Sequence, residues 1–230
     1  MMQIARFRGE YESFGKEANE VSKPADQIWD FISVNYQNWE SDYVVPLYLT
    51  KRGIYREISL VVWSKSADDF TEFIINNITS NESINDISMV NLMEPRFFSI
   101  PKNLSQNIKR FTISLDVAPK ESSFIFDYIT NIKTQSNIVV TYIAYTYHQG
   151  GSILLSLLSG DRAYVEEFTS KYLDRKKGVI KTEIVPIIKS KNLATPKIWK
   201  DHVGKYFVED GGREIEDLET YESWSNLGFE

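Results

Sequence analysis

The sequence predicts an α+β protein: two ferredoxin-like βαββαβ units packed sheet to sheet, a plan of the dimeric α+β barrel type. Three observations predict it. First, Gly150 to Lys189 reads strand, helix, strand, and slides back by 95 positions without a gap onto the stretch ending at Glu94. Ile153 falls on Ile58, Leu155 on Leu60, Val165 on Phe70, Phe168 on Phe73 and Ile187 on Leu92. Second, each copy is preceded by a further strand and helix, which completes a split βαβ unit. Third, several strands are apolar on both alternating sides, and such strands need cover on both faces. Two helices cover only one face of each sheet. A bare apolar face of roughly several hundred Å² exceeds what monomers expose, so the halves, or two chains, should pair through it.

The elements follow in order. Residues 3–8, QIARFR, form a short strand. Residues 9–23 are polar and read as a loop. Pro24 suits the first turn of a helix, where its missing N–H is not needed. Ile28, Phe31, Ile32 and Tyr36 then keep helical spacing. YVVPLYL at 43–49 is a strand whose Pro46 implies an edge or a bulge, and KRG at 51–53 is a turn. EISLVVW at 57–63 is apolar on both sides. Ser66 reads as a helix N-cap, with Asp69 in the capping-box position. Phe70, Phe73, Ile74 and Ile78 form one stripe. Ile84 to Leu92 gives the next strand, and Pro95, Pro101 and NLSQN at 103–107 mark a linker.

In the second copy FTISLDV at 111–117 alternates strictly. Pro119 stops that strand and admits a helix carrying Ile125, Tyr128, Ile129 and Ile132. IVVTYIAYTY at 138–147 is a long strand with Val139, Thr141, Ile143, Tyr145 and Tyr147 on one side and Ile138, Val140, Tyr142, Ala144 and Thr146 on the other. A Gly150–Gly151 turn, a strand at 153–158, a helix from about Asp161 to Leu173 and a strand at 179–188 complete the unit. The predicted domains are 1–105, 106–195 and an acidic extension, 196–230. In that extension PKIWKDHVGKYFVED reads as a helix presenting Ile198, Val203 and Phe207.

Composition bounds the function. The chain has 230 residues, 42% of them apolar, and no cysteine. That excludes disulfides and thiolate metal sites. There is no apolar run of membrane-spanning length and no apolar signal-peptide core, so the expectation is a cytoplasmic protein. Residues 201–230 hold nine acids against two bases, while the whole chain carries −6. The body is therefore nearly neutral, which argues against a direct nucleic-acid footprint.

Residues 110–192 resemble the effector-binding (RAM) domain of Lrp/AsnC-type regulators. The matching features are RFTISLDVAP, the Gly turn before ILLSLL, DRAYVEEFTSKYL and GVIKTEIVPIIK, in which Gly178, Val179 and Thr182 stand at the family's positions. The first half matches less closely, through GIYREISLVVW, SADDFTEFI and INDISMVNLMEP. The resemblance implies sheet-to-sheet pairing and a small, often amino-acid-like effector. Two departures stand out. A helix-turn-helix head is not apparent in the first 50 residues. The family's Gly-x-x-Asp turn reads Gly53-Ile54-Tyr55-Arg56 in one copy and His148-Gln149-Gly150-Gly151-Ser152 in the other. By fold alone, the same barrel plan resembles chlorite dismutase-like haem proteins and small monooxygenases.

Each candidate residue has a plain counterpart reading. His148 faces a ligand, or serves as an axial haem ligand, or is a turn histidine; His202 lies in the tail. Arg56 pairs with a carboxylate in bidentate fashion or is a solvated turn arginine. Tyr142, Tyr145 and Tyr147 stack a ligand or fill a sheet–sheet core. The pairs Asp68/Asp69 and Glu166/Glu167 fit solvated helix faces. No metal spacing, Ser-His-Asp order, P-loop or dinucleotide fingerprint occurs. The resulting expectation is a non-enzymatic regulatory or small-molecule-binding protein without a cofactor. Its ligand site would use His148, Gly150, Gly151, Ser152, Gly53, Tyr55 and Arg56. Its partners would be a small effector and further copies of itself, with no nucleic acid and no membrane. The alternative is a haem-binding or monooxygenase-type enzyme of the same fold. A third reading is a scaffold joined through the acidic tail.

Overall fold

The computed structural model describes residues 2–9, 23–36, 39, 44–52, 55–98, 100, 108–132, 134–135, 137–148, 151–193 and 207–208. They fall into two compact units. One comprises the described residues of Met1–Asn91 and Ile188–His202, the other those of Leu92–Ile187 and Val203–Trp224.

The first unit contains β1 (Met2–Arg8), α1 (Lys23–Asn35), β2 (Val44–Arg52), β3 (Tyr55–Trp63), α2 (Ala67–Asn77) and the start of β4 (Asp86–Phe98). This is the expected βαββαβ order. The strands lie β4-β1-β3-β2, and the end of β9 (Val179–Asn192) follows β2. Cross-strand register pairs Ile4 with Val61 and Leu49 with Ile58. The bulge that Pro46 implied is present, as a register shift between Val44 and Leu47.

Ala5, Phe7, Leu47, Leu49, Ile58, Leu60 and Val62 meet Ile28, Ile32, Phe70, Ile74 and Ile78 from the two helices. Each fully buried aliphatic or aromatic side chain contributes about 1.5–3 kcal/mol. The α2 start is capped as expected, with Ser66 Oγ accepting from the Asp69 N–H. The Asp69 carboxylate accepts from the Lys65 N–H, one residue before the donor that a capping box uses.

The second unit contains the end of β4, then β5 (Lys109–Val117), a 3-10 turn (Pro119–Glu121), α3 (Ser122–Asn131), β6 (Thr134–Gln135), β7 (Ile138–His148), β8 (Gly151–Ser159), α4 (Arg162–Phe168), a π-helical turn (Thr169–Leu173), β9 and β10 (Phe207–Val208). The strands lie β9-β5-β8-β7, with β6 and β4 both pairing β7 beyond it. Phe111, Ile113, Leu115, Ile143, Ile153, Leu155 and Leu157 meet Ile125, Phe126, Ile129, Val165 and Phe168. Gly178 opens β9 at φ 94, a conformation that favours glycine. A Cβ there would overlap the Cβ and Cγ of Glu121.

Four expectations change. Pro95 lies inside β4 instead of a linker, at the register shift between Met93 and Arg96, where Glu94 adopts φ 49. A bulge is where a strand tolerates a residue without an N–H. In β7, strict alternation fails. A shift between Val140 and Tyr142 puts Ile138 and Val140 on the same side as Ile143 and Tyr145, because a bulge adds one residue and flips every position after it. The residues 51–52 of the expected turn extend β2. Finally, Phe207–Val208 pairs in parallel with Phe97–Phe98, so the tail contributes a strand where a helix was expected.

Candidate functional site

Both sheets carry polar residues on the face opposite their own helices, and register sets their positions. In the second unit Phe111, Ile113 and Leu115 point at the helices. Alternation therefore turns Arg110, Thr112 and Ser114 to the other face. Thr112 pairs with Ser156 of β8, and Ser156 pairs with Tyr142 of β7. Tyr142 pairs in turn with Phe97 of β4. One row thus runs Phe97–Tyr142–Ser156–Thr112 across four strands. The Phe97 and Tyr142 rings lie 4.8 Å apart in a tilted contact.

Much of this face is buried, with Thr112 and Ser156 half-buried. Arg110 is 3% exposed, Ser114 and Thr146 are each 7% exposed, and Thr141 is fully covered. Thr141 Oγ donates to the Ser156 carbonyl. The Ser156 hydroxyl is buried and makes no hydrogen bond among the described residues. A buried hydroxyl left without a partner costs about 1–3 kcal/mol and calls for an explanation, such as a bound molecule.

In the first unit the opposite face carries two polar rows. Arg6 pairs with Ser59, and Ser59 with Tyr48. One step further, Glu57 pairs with Thr50, and Arg8 Nε donates to Glu57 Oε2 at 2.7 Å. Arg6 Nε lies 3.9 Å from Glu57 Oε1. The Glu57 residue is 3% exposed.

The residues expected from sequence are distributed differently. Arg56 lies on the helix side of β3, where its guanidinium reaches Asp26 of α1 at 3.3 Å. The backbones of Tyr55, His148, Gly151 and Ser152 lie at strand ends, with His148 paired to Gly151. Their side chains and that of Tyr147, and Gly53, Gly150 and His202 entirely, lie outside the described residues. The tyrosine cluster divides between faces. Tyr142 joins the polar row, whereas Tyr145 stacks on Phe126 at 4.2 Å among the helices. Burial pushes the Tyr145 phenol above its usual value, against a lowering hydrogen bond with Ser123. The sequence reading missed Arg6, Arg8, Glu57, Arg110 and Ser156. Their signal was a lone polar residue inside an apolar strand, such as the serine within ILLSLL.

Among the described residues no helix is long and apolar enough to cross a membrane. None of their His, Cys, Asp and Glu form a group of three suited to a metal ion.

No family model and no curated protein matches the chain, so the Lrp/AsnC resemblance has no support beyond the fold. Solved structures do match. A provisionally assigned monooxygenase from Fusobacterium nucleatum subsp. nucleatum shares 14% identity at a TM-score of 0.53, over 84% of this chain and 94% of that one. The siroheme decarboxylase NirDL, solved with an iron-uroporphyrin III analogue, shares 8% identity at a TM-score of 0.51, over 83% and 72%. The chain has the dimeric α+β barrel fold in common with them.

Proposed function

We propose that this chain binds a flat, acidic aromatic molecule on the helix-free face of its second unit and acts as a monooxygenase-type enzyme. The observation that carries the proposal is the buried Ser156 hydroxyl on a row that begins with two aromatic rings. The ring of such a ligand would lie against Tyr142 and Phe97. Its oxygen would accept from Ser156. Arg110, two residues along β5 from Thr112 and so about 7 Å away, would hold its acid group. The monooxygenase assignment rests on likeness of fold, which is analogy.

The fold neighbours also raise haem. Arg110 and the aromatic pair suit a propionate and a macrocycle. However, the described residues of this face include no imidazole to meet an iron, so no chemical step is derived through haem. The hairpin candidates His148, Gly150, Gly151 and Ser152 remain proposed rim contacts, whereas Gly53, Tyr55 and Arg56 belong to the first unit, where Asp26 takes the Arg56 guanidinium. Self-association is part of the proposal.

The test is a titration of purified protein with haemin and with a panel of hydroxylated aromatic acids. Tyrosine and tryptophan fluorescence and oxygen consumption would both be recorded. Binding that weakens about tenfold in Ser156→Val supports the site, since one hydrogen bond is worth about 1–1.5 kcal/mol. Binding without oxygen uptake would return the protein to the regulatory, non-enzymatic reading. No binding by any member would refute the site.

A further inference from the structure

We propose that Thr141 is the positioning residue of the second unit's helix-free face. It is the extra residue of the β7 bulge, and its hydroxyl ties β8 to that bulge so that the Tyr142 ring and the Ser156 hydroxyl stand side by side. The ligand part of this proposal rests on the aromatic-acid reading; the placement of Tyr142 does not.

Register shows what the bulge does. Val140 pairs with Leu157, Tyr142 with Ser156 and Ile143 with Leu155, so Thr141 is passed over. Thr141 and Tyr142 of β7 therefore oppose the single residue Ser156 of β8. A straight strand continuing from Val140 would instead set Thr141 opposite Ser156 and Tyr142 opposite Leu155. Leu155 belongs to the helix-facing core. The tyrosine would then turn toward the helices and Ile143 toward the opposite face. The bulge thus gives the helix-free face its tyrosine ring, and it keeps Ile143 in the core, where that side chain is fully buried.

Thr141 holds this geometry. It is fully buried, and its Oγ1 donates to the Ser156 carbonyl at 3.2 Å. A bulge disrupts the ladder locally, and a side-chain donor ties the two strands at that point. Threonine is β-branched and stiff at χ1, so the donor stays where the backbone puts it. Ser156 is held at its carbonyl by Thr141, while its own hydroxyl is buried and makes no hydrogen bond among the described residues. Its cross-strand neighbour Tyr142 packs against Phe97 at 4.8 Å. Burial of Ile143 decides which side each residue takes. The Thr141 hydrogen bond decides how closely the Ser156 backbone stands to the Tyr142 ring, and hence whether one ligand meets both.

The experiment compares the full chain with Thr141→Val, which keeps the shape and loses the donor, and with Thr141→Ser, which keeps the donor. The probes are 4-hydroxybenzoate and trans-4-hydroxycyclohexanecarboxylate, which has the same polar groups without an aromatic ring. Titration calorimetry should show the parent preferring the aromatic acid. Thr141→Val should weaken 4-hydroxybenzoate about fivefold, the worth of one neutral hydrogen bond, and the saturated acid less. Thr141→Ser should restore the preference. Lower stability alone leaves that ratio unchanged, because both acids bind the same folded fraction.

A ligand-free measurement runs beside it. The near-ultraviolet circular dichroism lost in Tyr142→Phe is the Tyr142 signal. That difference should shrink in the Thr141→Val background and keep its size in the Thr141→Ser background. An unchanged Tyr142 signal in Thr141→Val, or an unchanged preference between the two acids, would overturn the proposal, even where Ser156→Val weakens 4-hydroxybenzoate and so supports the aromatic-acid reading. If 4-hydroxybenzoate does not bind the parent, that reading loses its support and the Tyr142 signal alone decides for Thr141. If Thr141→Val fails to fold, Thr141→Cys, whose thiol donates only weakly, takes its place.

Discussion

Replacing Arg8 by methionine should destabilise the chain far more than the same change at Arg6, although both arginines face one carboxylate. Glu57 has a side chain only 4% exposed, and its short hydrogen bond, 2.7 Å, comes from Arg8. Removing the partner of a buried charge costs about 3–5 kcal/mol. Arg8 is 37% exposed, so water can replace part of what it supplies, and the lower end, about 3 kcal/mol, is expected. At about 2–4 °C per kcal/mol for a chain of this size, the melting temperature should fall by roughly 6–12 °C. Arg6, whose Nε stands 3.9 Å from Glu57 Oε1, makes the longer of the two contacts and should cost less.

The assay is urea unfolding followed by circular dichroism. Adding Glu57→Leu to Arg8→Met should recover part of the loss, because the buried carboxylate is gone, while Arg6 gives up its ion pair with it. A loss below about 1 kcal/mol in Arg8→Met, or a larger loss in Arg6→Met, would refute the view that Arg8 compensates Glu57.

Three further outcomes follow from particular positions. Ser156→Val should raise stability by about 1 kcal/mol while weakening ligand binding, since the hydroxyl is buried without a hydrogen bond; equal stability in thermal melts would count against it. Gly178→Ala should cost about 2 kcal/mol or more, from a φ of 94 and overlap with Glu121, read as a lower urea midpoint. Tyr145 has its pKa raised above 10.0, chiefly by burial. Its neutral form is favoured in the folded state, so its contribution is full below the unfolded value and is lost as pH rises through the folded one. Stability should therefore fall more steeply above pH 10 in the parent than in Tyr145→Phe.

Much of the fold was legible in the chain. The 95-residue repeat, the two-sided apolar strands and the Ser66 cap all reported local periodicity or local hydrogen bonding, which survive without knowledge of partners. Pro46 announced its bulge because a missing N–H has the same consequence wherever the strand lies. Pro95 was misread by the same rule. A proline stops a strand unless a neighbour's register shifts around it, and β7 supplies that shift. The site was less legible for a related reason. Which face Tyr142 and Tyr145 occupy depends on the bulge at Thr141, and no alternation rule contains it. Arg56 looked like a ligand arginine at a turn, yet Asp26 of a distant helix takes it.

The sequence by itself determined two βαββαβ units, their helix-facing cores and a chain without thiol chemistry, because hydrophobic period and composition are properties of neighbours along the chain. Only the tertiary structure decided that Arg6, Arg8 and Glu57 share one face, and that Ser156 lies between Tyr142 and Thr112. Those groupings come from cross-strand register, and register is fixed by pairing between segments that the chain keeps far apart.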